Sequence, residues 1–168
     1  MIRSVREGDA EAIHAIYAPI VRESIVSFET QPPSVTELQE RIAKSHEWLV
    51  YEHEGRVAGY AYAAPFHERA GYRWSVEVSI YVGVDVRGSG VGKELLTKLL
   101  ERLKVRGFVN VFAGIALPNP ASVRLFESFG FEAIARQRQV GFKLGGWHDV
   151  GWWQLRLQEP TVPPPTLA

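Results

Sequence analysis

The segment Arg87-Gly88-Ser89-Gly90-Val91-Gly92 puts three glycines within five positions, so the backbone can bring several N–H groups against an anion with no Cβ in the way. The run before it, Val76 to Val84, is β-branched or aromatic with few breaks and reads as a largely buried strand. The run after it spaces Val91, Leu95, Leu96, Leu99, Leu100 and Leu103 as one face of a helix, which Gly107 ends. A glycine turn between a strand and a helix N-terminus is a phosphate site, because free amides and the positive end of the dipole point the same way. Spacing excludes two versions of it. A Walker A loop would need glycine at Arg87 and Ser or Thr at Glu94, and a dinucleotide fingerprint would need glycine at Lys93. The pattern present is R-x-x-G-x-G.

A carboxylate stands in the same strand. Strand alternation puts Glu77 and Ser79 on one face and Val78 and Ile80 on the other. A carboxylate among Val and Ile is costly unless the place is wet or functional. The loop before it, Pro65 to Trp74, is dense in charged and aromatic side chains, as recognition loops on rigid scaffolds are. Pro118-Asn119-Pro120 opens a further helix that Asn119 can cap. His14, His46 and His53 lack metal-ligand spacing, so no metal is expected.

The elements that must hold these groups follow from the rest of the chain. Its 168 residues are enough for one domain with a real core, expected over 1–158. Four prolines in residues 159–168 read as a flexible tail. Lys plus Arg equal Asp plus Glu at 19 each, so no global field would gather nucleic acid or an anionic membrane, and the partner expected is a small molecule. The absence of cysteine excludes disulfides, thiolate metal sites and a cysteine nucleophile. No apolar run reaches the roughly 18 residues of a membrane span, and the expected location is the cytoplasm. Asp9 caps a first helix carrying Ile13, Ile16, Tyr17 and Ile20, which Pro19 is expected to interrupt. Ser34-Val35-Thr36-Glu37 is a capping box that starts a second. Trp48–Glu52 and Arg56–Ala64 read as a hairpin, Val109–Ile115 as a buried strand and Ala121–Phe129 as a helix. Ala133–Leu144 and Trp152–Leu157 read as strands joined by a turn at Gly145–Asp149. The order gives an α+β fold: a central mixed, twisted sheet flanked by helices.

With these motifs in order, the chain resembles the GNAT superfamily of acetyl-CoA-dependent N-acetyltransferases, and within it the phosphinothricin and methionine-sulfoximine N-acetyltransferases. The resemblance rests on the R-x-x-G-x-G loop together with Phe28-Glu29-Thr30, Gly59-Tyr60-Ala61-Tyr62, Tyr72, Val76-Glu77, Leu117-Pro118-Asn119, Ser122-Val123-Arg124-Leu125 and Gly145 through Gly151. It implies a GNAT fold and acetyl-CoA as co-substrate, with direct transfer to the α-amine of a small amino acid or analogue and no acetyl-enzyme. It also implies Glu77 as general base, and an acceptor site built from Arg69, Tyr72 and Phe28. For the cofactor it implies backbone groups of Tyr81, Val82 and Val84 along the pantetheine arm, and Arg87, Gly88, Ser89, Gly90, Val91, Gly92 and Lys93 around the pyrophosphate. Asn119 and Ser122 follow on the next helix. A homodimer is implied, with Trp147, Trp152 and Trp153 suited to its interface. The chain departs from the family at one position: Phe126 stands where relatives carry a proton-donating tyrosine or histidine. That departure keeps two other readings open, the same chemistry on another amine and a non-catalytic acyl-CoA sensor. His148 beside Asp149 is read as structural.

Overall fold

The computed structural model describes residues 1–168. In chain order its elements are β1 (Ile2–Ser4), α1 (Ala10–Glu23), α2 (Val35–Lys44), β2 (Glu47–His53), β3 (Arg56–Pro65), β4 (Ser75–Val82), α3 (Val91–Val105), β5 (Asn110–Leu117), α4 (Pro120–Ser128), β6 (Glu132–Lys143) and β7 (Gly146–Arg156). Seven strands form one sheet in the order β1-β2-β3-β4-β5-β7-β6, antiparallel throughout except for β4 against β5.

That one parallel contact is short. β4 and β5 pair only at Ser75–Asn110, Val76–Val111 and Glu77–Phe112, although both strands run on to Val82 and Leu117. Their outer edges stay paired, β4 with β3 and β5 with β7. The sheet therefore splits into a wedge whose apex is Glu77.

Strand alternation sorts the residues onto two faces. Val76 and Val78 of β4, with Val111, Ala113 and Ile115 of β5, bury themselves under α3, whose predicted apolar stripe lies wholly in that core. The other face carries Trp48, Val50, Tyr60, Tyr62, Ser79 and Tyr81, covered by Ile13, Tyr17 and Val21 of α1 and Leu38 of α2. α2 opens with the expected box: Ser34 Oγ accepts from Glu37 N at 3.1 Å and Glu37 returns to Ser34 N at 2.7 Å.

Three expectations about elements change. α1 runs through Pro19 to Glu23, because burial of Tyr17, Ile20 and Val21 holds the helix across the missing N–H. Residues 147–149 belong to β7 and not to a turn, since Lys143 pairs with Gly146 and the tight turn needs only Leu144 and Gly145. The tail at 159–168 is docked and not frayed. Trp74 Nε1 donates to the Pro165 carbonyl at 2.7 Å, Arg106 and Ala168 exchange two hydrogen bonds, and Leu167 packs on the main core. Proline-rich extended chain makes no internal hydrogen bonds, so its carbonyls are free for such donors.

Candidate active site

At the apex of the wedge Glu77 is half-buried, and burial raises its pKa above the ordinary carboxylate range. Its neighbours on the same face are polar on one side and aromatic on the other. Tyr62 lies opposite Ser79, diagonal to Glu77, and is held flat against Trp48 with ring centroids 4.2 Å apart. Phe112, directly across from Glu77, stacks on Phe66 at 4.3 Å. Phe66 in turn meets Tyr72 edge-on at 6.0 Å, and His67 lies 4.7 Å from Tyr72. Further out, the Trp152 indole lies over Gly114, where an added Cβ would come within 3.0 Å of the ring. Its Nε1 is fixed by Gln137 at 3.0 Å.

The expected acceptor residues separate. Tyr72 reaches the apex through Phe66, whereas Arg69 is exposed at the start of a 3-10 turn, held there through its backbone, its N–H donating to His67 Nδ1 at 3.3 Å and its carbonyl accepting from Tyr72 N at 3.0 Å. Phe28 lies at the open end, against Gly141 of β6 and 6.4 Å from the His148 ring. His148 thus borders the site from a strand. The Glu29 carboxylate beside Phe28 accepts from both Arg41 nitrogens and from Tyr17, and Arg41 is the main cause holding its pKa down.

The cofactor side follows from where hydrogen bonding stops. Gly83 N donates to Ala58 O at 2.8 Å, so alternation turns Tyr81 towards β3 and leaves the N–H and C=O of Val82 and Ile80 facing the unpaired wedge. Tyr81 is therefore not a backbone donor to the wedge as expected. Its ring packs 5.0 Å from Tyr17 and 5.3 Å from Tyr60, because an odd-numbered residue of β4 faces α1. Val84 lies in an exposed 3-10 turn. Beyond it Gly88 (φ 75°) and Gly90 (φ 89°) adopt the left-handed conformation that turns the chain into α3. The free amides of Val91, Gly92 and Lys93 at that helix start face outward. Ser89 Oγ is spent on Val86 O and Arg87 Nε on Val82 O at 3.3 Å. Across the gap Asn119 caps α4, its Oδ1 accepting from Ser122 N at 3.2 Å, which leaves its amide N–H groups free. Phe126 is buried in the core at 5.0 Å from Phe131, so it brings no proton donor to the wedge.

A wedge lined with unpaired strand groups, ending at a left-handed glycine turn and a helix N-terminus, fits a long thiol arm with a pyrophosphate at its far end. A cavity of about 580 Å³ lies elsewhere, between α1 and the β2–β3 turn, and touches this loop only from Gly83 to Arg87. No group of ligands for a metal ion occurs.

The sequence assigns no site role to Tyr62, Trp152 or Arg41, although Tyr62 lies in a family motif and Trp152 reads as an interface residue. The first could have been found: Tyr60 and Tyr62 alternate with Ala61 and Ala63, the signature of one crowded and one tightly covered face.

The chain belongs to the GNAT acetyltransferase family: the family described as Acetyltransferase (GNAT) domain matches residues 2–152. It is 41% identical to the phosphinothricin N-acetyltransferase of Streptomyces viridochromogenes, over 98% of this chain and 91% of that one. It is 34% identical to the L-methionine sulfoximine/L-methionine sulfone acetyltransferase of Pseudomonas aeruginosa, over 95% of both. Among solved structures, a GNAT superfamily phosphinothricin acetyltransferase from Sinorhizobium meliloti in complex with AcCoA superposes with a TM-score of 0.94 at 35% identity, covering 99% of this chain and 92% of that one.

Proposed function

We propose that this protein transfers acetyl from acetyl-CoA directly to the α-amine of a small amino acid or analogue, of the kind represented by phosphinothricin and methionine sulfoximine. The observation that carries the proposal is the position of Glu77: a half-buried carboxylate at the apex of a wedge whose open edges can take the pantetheine arm as an added strand. In that reading Val82 and Ile80 bond the arm, amides from Gly88 to Lys93 hold the pyrophosphate with Arg87 beside them, and the Asn119 amide and Ser122 meet the arm from α4.

An alkylamine reaches the wedge protonated and must lose a proton to become nucleophilic. Glu77 takes that proton, its raised pKa bringing it closer to the amine than an ordinary carboxylate. The amine nitrogen then bonds the thioester carbon, the Val82 N–H supports the oxyanion, and as the carbonyl re-forms the C–S bond breaks to release the thiolate while the second proton of the now cationic nitrogen passes to water. With Phe126 buried, the thiolate leaves without a dedicated acid, which a thiol pKa of about 8.5 permits. Tyr72 and Phe28 border the acceptor, and Arg69 attracts its carboxylate from the rim. We assign the enzyme to the cytoplasm and to a homodimer.

The test is CoA release from acetyl-CoA with methionine sulfoximine, methionine sulfone, phosphinothricin, common amino acids, a polyamine and an aminoglycoside. Turnover of the first three is expected. The burial of Phe126 favours a second reading, an acyl-CoA sensor, and tight acetyl-CoA binding with no turnover of any amine would select it.

A further inference from the structure

Lys143 is the only lysine in the chain's buried set, 7% exposed near the end of β6. Its Nζ donates to the Ser27 backbone carbonyl at 2.6 Å. The Ser27 side chain bonds Tyr17 on the other side, with Oγ and the phenol oxygen 2.8 Å apart in a buried contact. These partners stand on opposite sides of the wedge. Tyr17 packs on Tyr81 of β4, whereas Lys143 is on β6, the far edge of the other half. Register puts Lys143, Gly141 and His148 on the same face as Glu77. The segment Ser24–Thr30 therefore crosses from α1 over the wide end of the wedge on the acceptor face, pinned at both sides.

Two further observations fix its height. A Cβ at Gly141 would fall within 2.7 Å of the Phe28 ring, so Phe28 is seated directly on the β6 backbone. Glu29 is locked from above by Arg41. A buried ammonium whose hydrogen bond goes to a backbone carbonyl is an expensive way to gain stability, because desolvation offsets most of the bond, and an apolar side chain would pack there at less cost.

We propose that Lys143 and Tyr17 clamp Ser27 between the two halves of the split sheet, and that this clamp holds Ser24–Thr30 as the roof of the acceptor chamber. Lys143 is then a positioning residue that sets affinity for the acceptor amine through Phe28, and it leaves acetyl-CoA binding alone, because the glycine turn and α3 lie towards the other face. The inference rests on the acetyl-transfer reading for its acceptor half only.

Two measurements test it, on Lys143→Met and on Tyr17→Phe, which removes only the hydroxyl from the other side of the clamp. Hydrogen exchange of the full-length protein without ligands is expected to speed up across Ser24–Thr30 in both variants, with the α3 amides unchanged. Steady-state kinetics with the best acceptor found for the wild type should show acceptor KM raised about tenfold or more, with the acetyl-CoA Kd by calorimetry within twofold of wild type. Unchanged exchange in Tyr17→Phe, or in a folded Lys143→Met, overturns the clamp. Faster exchange with both constants unchanged, or both weakened alike, reduces Lys143 to a structural residue. A wild type that acetylates nothing overturns the acceptor half together with the proposed function, while exchange still decides the clamp.

Discussion

Glu77 concentrates the trade between stability and chemistry in one side chain. Burial raises its pKa, so the folded state binds the proton more tightly than the unfolded chain does. Stability therefore falls as pH rises from the ordinary carboxylate range through the raised value, and above that window the full cost of the buried charge is present. Glu77→Gln removes that cost. The variant should melt higher than wild type at pH 7, and the gap should close below about pH 4, where both states of the wild type are protonated. Acetyl transfer should fall about 10²- to 10⁴-fold in the same variant, the usual contribution of a positioned base. In the wild type kcat/KM should drop on acidification within the same window. Thermal melts at the two pH values and a pH–rate profile check all three statements. Glutamine as active as glutamate would remove Glu77 from the base role. The oddity of a carboxylate between Val76 and Val78 was legible in the sequence, as was the division of faces with Ser79. Its place at the apex was not, because nothing local in β4 says where pairing with β5 stops.

Among the elements, the turn into α3 separates two kinds of glycine. Gly90 caps the helix at φ 89° with no atom within 4 Å of an added Cβ, so Gly90→Ala meets a conformational cost and not a clash. About 1 kcal/mol of stability should be lost, and acetyl-CoA affinity should fall as the amides turn away. Gly92 stands inside the helix, and its added Cβ would make ordinary contact with Leu125 at 3.5 Å. Gly92→Ala should leave the melting temperature unchanged or raise it, so any loss of acetyl-CoA affinity there reports crowding of the ligand itself. Calorimetry and thermal melts on the pair check this, and equal effects of the two substitutions would contradict the geometry. Such elements were readable because their signals are local: the leucine spacing of α3, the Ser34–Glu37 box and the Asn119 cap all sit within a few residues of the structure they specify. The clamp on Ser27 was not readable, since Lys143 lies 116 residues away and only sheet order brings the two together.

At the scale of the whole molecule, what distance hid from the sequence matters most at the surface. Trp147, Trp152 and Trp153 look alike as interface candidates in a linear chain. The fold separates them: Trp153 is 6% exposed in the core, and Trp152 is laid over Gly114 within the site. Trp147 stands 60% exposed, edge-on to Phe142 at 57%, with Ile134, Val140 and Leu144 also open on the same hairpin. A twelve-residue edge strand that displays so much apolar surface invites a partner. A second copy of the chain is the partner proposed, and the surface it would cover is the β6–β7 hairpin and not a tryptophan cluster. Sedimentation at micromolar concentration should give a dimer, and Phe142→Asp combined with Trp147→Asp should give a monomer with an unchanged far-ultraviolet spectrum. The hairpin also supplies Gly141 and Lys143 to the roof over the wedge, so the monomeric variant should show a raised acceptor KM alongside its lower mass. A dimer that survives both charges would move the interface to another surface, and a wild type that sediments as a monomer would remove it.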